Sequence, residues 1–209
     1  MSLLAFLMTA LLLAVTPGPG IAYVVARTVA GGRREGLASC LGTGLGGLLH
    51  VAAAALGLSL LVARSATAFG LVKWLGAAYL VYLGLRLLLH SAPAPAPAAG
   101  VAPVAPRGAR AALREGIVVE ALNVKTALFF LAFLPQFVAP GEPLAPRLAV
   151  LGTVCVALNT GVDVLAVFAA ERLLRSDAAR AARARLLNRT SGAMLIGLGA
   201  LLAATRREA

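Results

Sequence analysis

Charge is what this sequence has least of. Only 13% of its 209 residues are Asp, Glu, Lys or Arg, against 60% hydrophobic. A soluble domain of this length can bury a good core without being so poor in charge. The scarcity is concentrated in long runs. No charged residue occurs from Met1 to Ala26, and only His50 interrupts Leu37 to Ala63. A helix needs about 20 apolar residues to cross a bilayer, and both runs exceed that. Cysteine is nearly absent too. Cys40 and Cys155 both fall in apolar runs and form no CxxC pair, so they read as small packing residues and not as a disulfide or redox site. No P-loop, Ser/His/Asp set or metal motif is found, which argues against ATP coupling and against a membrane enzyme. The first run lacks the positive n-region of a signal peptide and is too long for one, so it is taken as the first membrane helix.

The charges that are present set an orientation. A net charge of +11 invites a nucleic-acid reading, but the basic residues lie between apolar runs and not on one amphipathic face. No nucleic-acid partner is expected. Six apolar spans emerge, at about Leu3–Ala26, Leu37–Ala63, Phe69–Leu89, Ile117–Val138, Leu148–Ala170 and Leu186–Ala204. Lys73 and Arg86 lie near the ends of the third, where long side chains can snorkel. Between the third and fourth, Ser91–Pro106 is too rich in Pro and Ala for helix and reads as an extended linker. Thirteen arginines fall in the first, third and fifth loops: Arg27, Arg33, Arg34; Arg86, Arg107, Arg110, Arg114; Arg172, Arg175, Arg180, Arg183, Arg185 and Arg189. The opposite side holds five basic residues, Arg64, Lys73, Arg147, Arg206 and Arg207. Basic residues collect in cytoplasmic loops, so both termini are expected outside and the linker inside.

Three spans on each side of a linker make an inverted repeat the natural scheme. The expected organisation is residues 1–90 as the first three-helix repeat, 91–112 as the cytoplasmic linker and 113–209 as the second repeat. Leu75-Gly76-Ala77 and Leu83-Gly84 in the third span find a weak echo in Ser191-Gly192-Ala193 and Leu198-Gly199 in the sixth. The triplets Arg34-Glu35-Gly36 and Arg114-Glu115-Gly116 do not fit this scheme, and are read as coincidence or as a shared cytoplasmic helix start.

The sharpest local feature is Thr16-Pro17-Gly18-Pro19-Gly20. Each proline lacks an N–H and clashes with the carbonyl four residues back, which strips partners from Leu13 and Val15. The break falls mid-span, where non-helical backbone must be buried in protein or line a wet cavity. It also creates a half-helix N-terminus whose free N–H groups suit a carboxylate. A packing kink is the plain alternative; two prolines and two glycines in four residues favour a site. Polar residues gather at similar depth: His50, then Asn123 and Lys125 with Glu120 toward the cytoplasm, then Asn159 and Asp163, which share a helix face at i and i+4. His50 could equally be a neutral ring bonded to backbone, and Glu120 could snorkel at the headgroups. A charge near the bilayer centre costs at least about 2.5–3.5 kcal/mol, so Lys125 and Asp163 are either a mutually neutralising pair or a proton or substrate site; the latter is favoured. Gly42 and Gly46 form a small-xxx-small pair, read as close helix packing.

These residues resemble the LysE/RhtB family of bacterial amino-acid exporters over nearly the whole chain. The likeness rests on Thr16-Pro17-Gly18-Pro19; on Gly36, Gly42 and Gly46; on Leu75-Gly76-Ala77-Ala78-Tyr79-Leu80 and Tyr82-Leu83-Gly84; on Asn123-Val124-Lys125 with Phe129-Phe130 and Phe133-Leu134-Pro135-Gln136-Phe137; and on Leu187-Asn188-Arg189 with Gly192. Val124 stands where the family usually has proline, so a more continuous fourth helix is expected.

The resemblance implies an all-α integral membrane protein of the bacterial inner membrane, not an enzyme, that exports an amino acid or derivative by proton antiport. Its partners are a small-molecule substrate and the lipid bilayer, with no cofactor and no metal; a homo-oligomer is compatible with the sequence. Expected substrate-binding residues are Thr16, Pro17, Gly18, Pro19, Gly20, Asn123, Lys125 and Asn159. The half-helix N-terminus and Lys125 take the carboxylate; Asn159, Asp163 and the freed carbonyls of Leu13 and Val15 take the ammonium. Expected coupling residues are Asp163 first, then Glu120, then His50. The alternative is a metal-ion exporter of related fold, for which His50, Asp163 and Glu120 are the only intramembrane ligands.

Overall fold

In the computed structural model, the described residues are 3–58, 65–89 and 105–173, with the single positions 193, 196, 197, 200 and 203. Every regular element among them is helical. The helices are α1 (Leu3–Val15), α2 (Pro19–Ala53), α3 (Ala66–Leu89), α4 (Ala109–Ala121), α5 (Val124–Leu128) and α6 (Leu144–Leu173). A π-helical turn, Ala54–Leu58, prolongs α2. Another, Phe129–Phe133, and a 3-10 turn, Leu134–Phe137, prolong α5. The far end of the expected second span, most of the linker and most of the sixth span lie outside the described residues; the five single positions of the sixth are helical. By length and apolarity, Pro19–Gly57 and Leu144–Ala170 can each cross a membrane. Ala109–Ala121 and Val124–Phe137 pass the same test together, as a pair bent by 45°.

α2 is not one straight rod. Gly31 (φ −125°, ψ 15°) and Gly32 (φ 71°, ψ −170°) leave helical geometry. Residues eight apart in a straight helix are separated by about 12 Å, yet Arg27 Nη1 lies 3.5 Å from Glu35 Oε2. A Cβ on Gly36 would collide with the Thr28 hydroxyl. The chain therefore doubles back at Gly31–Gly32, and Gly32 supplies the positive φ that other residues rarely adopt. The arms 19–30 and 33–53 correspond to the inner half of the first expected span and to the second. The loop expected between them, 27–36, shrinks to a two-glycine turn.

The second arm of α2 is wedged between α4 and α6 because its glycines admit backbone contact. A Cβ on Gly42 would strike the carbonyl of Leu113, and one on Gly46 would sit 2.7 Å from the carbonyl of Ile117. On the other face, Gly44 meets the Thr160 hydroxyl and Gly47 meets Val156. This is the close packing expected of small-xxx-small spacing, used here on two faces.

Two apolar clusters bracket the middle of the bundle. The larger joins Phe6, Ala10 and Leu13 of α1 to Val51, Ala77, Leu148 and Cys155 and to Phe129, Phe130, Phe133, Leu134 and Phe137. Phe129 and Phe133 stack with centroids 5.4 Å apart, and Phe6 meets Phe137 edge-on at 5.4 Å. The smaller holds Val24, Cys40 and Val167. Along α6 the order is Cys155, Asn159, Asp163, Val167, and along α2 it is Val51, Gly47, Thr43, Cys40. The polar residues thus fall between the clusters.

Candidate functional site

The first helix breaks where its prolines require. The last α1 bond is from Thr16 N–H to the Leu12 carbonyl, at 3.1 Å, and the Thr16 hydroxyl donates to the same oxygen at 2.6 Å. Pro17 lies outside any helix, Gly18 is extended, and Pro19 opens α2 at its first position, where a missing N–H costs nothing. The carbonyls left over at the end of α1 are filled from another helix. Lys125 Nζ donates to Leu13 O at 3.1 Å and to Thr16 O at 2.9 Å. A cation at a helix C-terminus is where the macrodipole favours it. Thr16, not Val15, supplies the second carbonyl.

The fourth span also breaks, contrary to the expectation from Val124. α4 ends at Ala121, Leu122 and Asn123 leave helical geometry, and α5 restarts at Val124. Asparagine does what the absent proline does elsewhere. Its Oδ1 accepts from Lys125 N–H at 3.1 Å as an N-cap, and its Nδ2 donates to Glu120 Oε2 at 3.0 Å. Side chains that bond their own neighbouring backbone favour helix starts over helix interiors. The Glu120 carbonyl loses its usual partner, the N–H of residue 124; it accepts from the Asn123 N–H at 2.9 Å and from His50 Nε2 at 2.8 Å. Each broken helix thus has a carbonyl at its break that is held by a basic side chain from elsewhere, Lys125 for one and His50 for the other.

Glu120 is not at the headgroups. It is 3% exposed, with Oε1 accepting from the Thr126 hydroxyl at 2.7 Å. A Cβ on Gly20 would lie 2.6 Å from its Oε2, so the carboxylate rests against the first turn of α2, the favoured place for an anion. Among the described residues it has no cation within 4.0 Å. Lys125 and Asp163 form no ion pair either. Asp163, 1% exposed, accepts from the Thr43 hydroxyl at 3.0 Å. The mutually neutralising pair considered above is therefore not formed.

These groups surround a small cavity lined by Leu13, Thr43, Gly47, Glu120, Thr126, Phe130, Cys155, Val156, Asn159 and Thr160. Its volume of about 10 Å³ holds about one water, so the site is closed. Glu120 and Asn159 face it; Asp163 reaches it only through Thr43, and Lys125 does not line it. Thr43, Thr126, Cys155 and Thr160 were not foreseen. Thr126, Cys155 and Thr160 lie one to four residues from Lys125 or Asn159, whereas Thr43 lies seven from His50, and hydroxyls and thiols inside apolar runs carry little signal of their own.

Comparison with known proteins gives the family. A family model described as LysE type translocator matches residues 11–206, which span both helix breaks. The chain belongs to that family. Its family places it among transporters, not enzymes. A relative from Vibrio cholerae named as an uncharacterized membrane protein is 32% identical over 97% of each chain. The homoserine/homoserine lactone efflux protein of Salmonella typhimurium is 32% identical over 97% of this chain and 96% of its own. The leucine efflux protein of Salmonella choleraesuis is 28% identical over 66% of this chain and 64% of its own. No solved structure matches. This translocator is thus an all-helical membrane protein whose named relatives are amino-acid efflux proteins.

Proposed function

We propose that this translocator exports a small neutral amino acid or a carboxyl derivative of one, by proton antiport. The observation that carries the reading is Glu120, a buried carboxylate with no ion-pair partner among the described residues, facing the central cavity between two broken helices. A buried charge is retained when something pairs with it, and a substrate ammonium is the natural partner. Lys125 has a different role. Its ammonium is engaged by the end of α1, so it braces the break and does not await the substrate carboxylate. Homoserine, its lactone and leucine, named for the relatives, all carry an amine, and the lactone has no free carboxylate. Ammonium recognition by Glu120 suits all three. Asn159 and the Thr126 and Thr160 hydroxyls supply neutral polar contacts for the rest. The metal-ion alternative gains nothing from the relatives, and no three His, Cys, Asp or Glu groups converge among the described residues. The test is efflux of labelled leucine, homoserine and homoserine lactone from reconstituted vesicles under a pH gradient. Flux of at least one is expected; flux of none, with divalent-cation flux instead, would overturn the reading.

Six spans in an inverted three-plus-three repeat suit this reading, because the two breaks occupy corresponding places, in the first span of each half. A reporter active only in the cytoplasm should then be silent after Ala209 and active after Pro97. The reverse pattern, or activity at both positions, would remove the inverted repeat.

Proline supplies the first break but not all of it. Replacing both prolines, Pro17→Ala with Pro19→Ala, should restore backbone bonds to the carbonyls that Lys125 now holds. Export is expected to fall roughly tenfold while expression persists, since interior prolines perturb a helix by about 3 kcal/mol or more. Near-normal flux would return the motif to a packing kink.

A further inference from the structure

The face of the bundle that carries Arg33 and Arg34 holds a second set of buried charges, apart from those of the site above. Glu35 is 4% exposed, as is Arg27. The Glu35 carboxylate accepts from Arg27 Nη1 at 3.5 Å, from Arg107 N–H at 2.8 Å and from Gly108 N–H at 2.6 Å. It therefore joins both arms of the α2 hairpin to the head of α4. Arg27 also donates to the Ala105 carbonyl at 3.4 Å. A second tie lies alongside: Arg107 Nη1 donates to Glu115 Oε1 at 2.7 Å, and the Tyr23 hydroxyl sits 3.0 Å from both Glu115 Oε2 and the Ala112 carbonyl oxygen. The two Arg-Glu-Gly triplets, read in the sequence as coincidence or as a shared cytoplasmic helix start, supply the carboxylate of each tie.

A cavity of about 390 Å³ opens beside this cluster, lined by Gly31, Arg34, Glu35, Arg107, Gly108 and Arg110 among others. One helix face connects it to the central cavity. Residues four apart lie one above the other on a helix, and the sequence Glu35, Ser39, Thr43, Gly47 is such a row. Glu35 lines the outer cavity, and Thr43 and Gly47 line the central one. Ser39 lies between them, fully buried. A polar row that runs between two cavities, and is shut by a buried carboxylate at one end, has the form of a closed entrance.

We propose that Glu35 is a positioning residue of transport, the latch that closes this entrance by holding the α2 hairpin against the head of α4. The proposal rests on the transport reading, but its test is separable. Cys155 lines the central cavity and is buried, so its alkylation reports access. In a Cys40→Ala background, a membrane-impermeant sulfonated thiol reagent is applied to vesicles from each face in turn. Glu35→Gln should speed Cys155 labelling about tenfold from the Arg33/Arg34 face alone, the size of population shift a lost charged contact can give. A general loosening of the fold would speed labelling from both faces; that result, or no change, overturns the proposal. Should Glu35→Gln fail to reach the membrane, Arg27→Gln carries the same test, with a rise of about threefold. Leucine, homoserine and homoserine lactone flux in the Cys40→Ala parent is measured separately. A parent that moves none of them removes the transport reading, and one-sided labelling still decides the latch.

Discussion

Glu120→Gln should abolish export of every substrate the protein moves, whether or not the substrate has a free carboxylate. The substitution keeps the size of the side chain and leaves an oxygen for Thr126 or Asn123 to bond. What it removes is the charge. A hydrogen bond to a charged group contributes about 1.5–3 kcal/mol, which is roughly 10- to 100-fold in binding, and a buried ammonium left with a neutral amide adds its own desolvation cost. A loss of about 100-fold in efflux at low internal substrate is therefore expected. The comparison that decides the assignment is leucine against homoserine lactone in the same vesicles. Equal loss of both places recognition on the ammonium. If Glu120→Gln leaves both intact, and Lys125→Met removes leucine alone, Lys125 reads the carboxylate and the assignment is reversed.

The two breaks were unequally legible, and the difference is instructive. Thr16-Pro17-Gly18-Pro19 announces its break because proline acts through its own backbone. The second break could not be read from Val124, since it depends on Asn123 finding Glu120 and the amide of Lys125, a choice between helix interior and cap that only context settles. The burial of Glu120 was hard to read for a related reason. The apolar run starts near Ile117, but α4 starts at Ala109, and the turns that carry Arg110, Arg114 and Glu115 precede the run. Counting from the helix start moves Glu120 into the middle of the bundle. The partner of Lys125 lay beyond reach altogether: a backbone carbonyl 112 residues away leaves no trace in side-chain pattern. His50 shows the converse. Its plain alternative placed the ring on a backbone carbonyl, and that contact is the one found.

Asp163→Asn should leave a protein that still exchanges substrate across the membrane but no longer draws on a pH gradient. Between its two apolar clusters the described part of the bundle holds one ammonium, Lys125, and two carboxylates, Glu120 and Asp163. One bound proton makes that set neutral when the site is empty. Uncompensated charge in a bilayer interior is costly, so a substrate ammonium at Glu120 competes with that proton for the two carboxylates, and departure of the substrate calls a proton back. Opposite movement of proton and substrate follows from this competition, which needs both carboxylates; a zwitterion also brings a carboxylate, which the half-helix N-terminus after Pro19 must take. Asparagine at 163 can still accept from Thr43, so the packing is kept. It leaves Lys125 and Glu120 balanced without any proton, and substrate then enters and leaves with no obligatory counter-movement. The measurement compares labelled-substrate efflux with and without an imposed pH gradient, alongside one-for-one exchange at zero gradient, for the native chain and the variant. The native chain should accelerate by up to about tenfold under a gradient of one unit, the full factor available from one proton, and the variant should not respond. A variant that responds as fully as the native chain shows that Asp163 is not the coupling group. Glu120 is then the next candidate, carrying the proton in direct competition with the substrate ammonium, and His50 follows it.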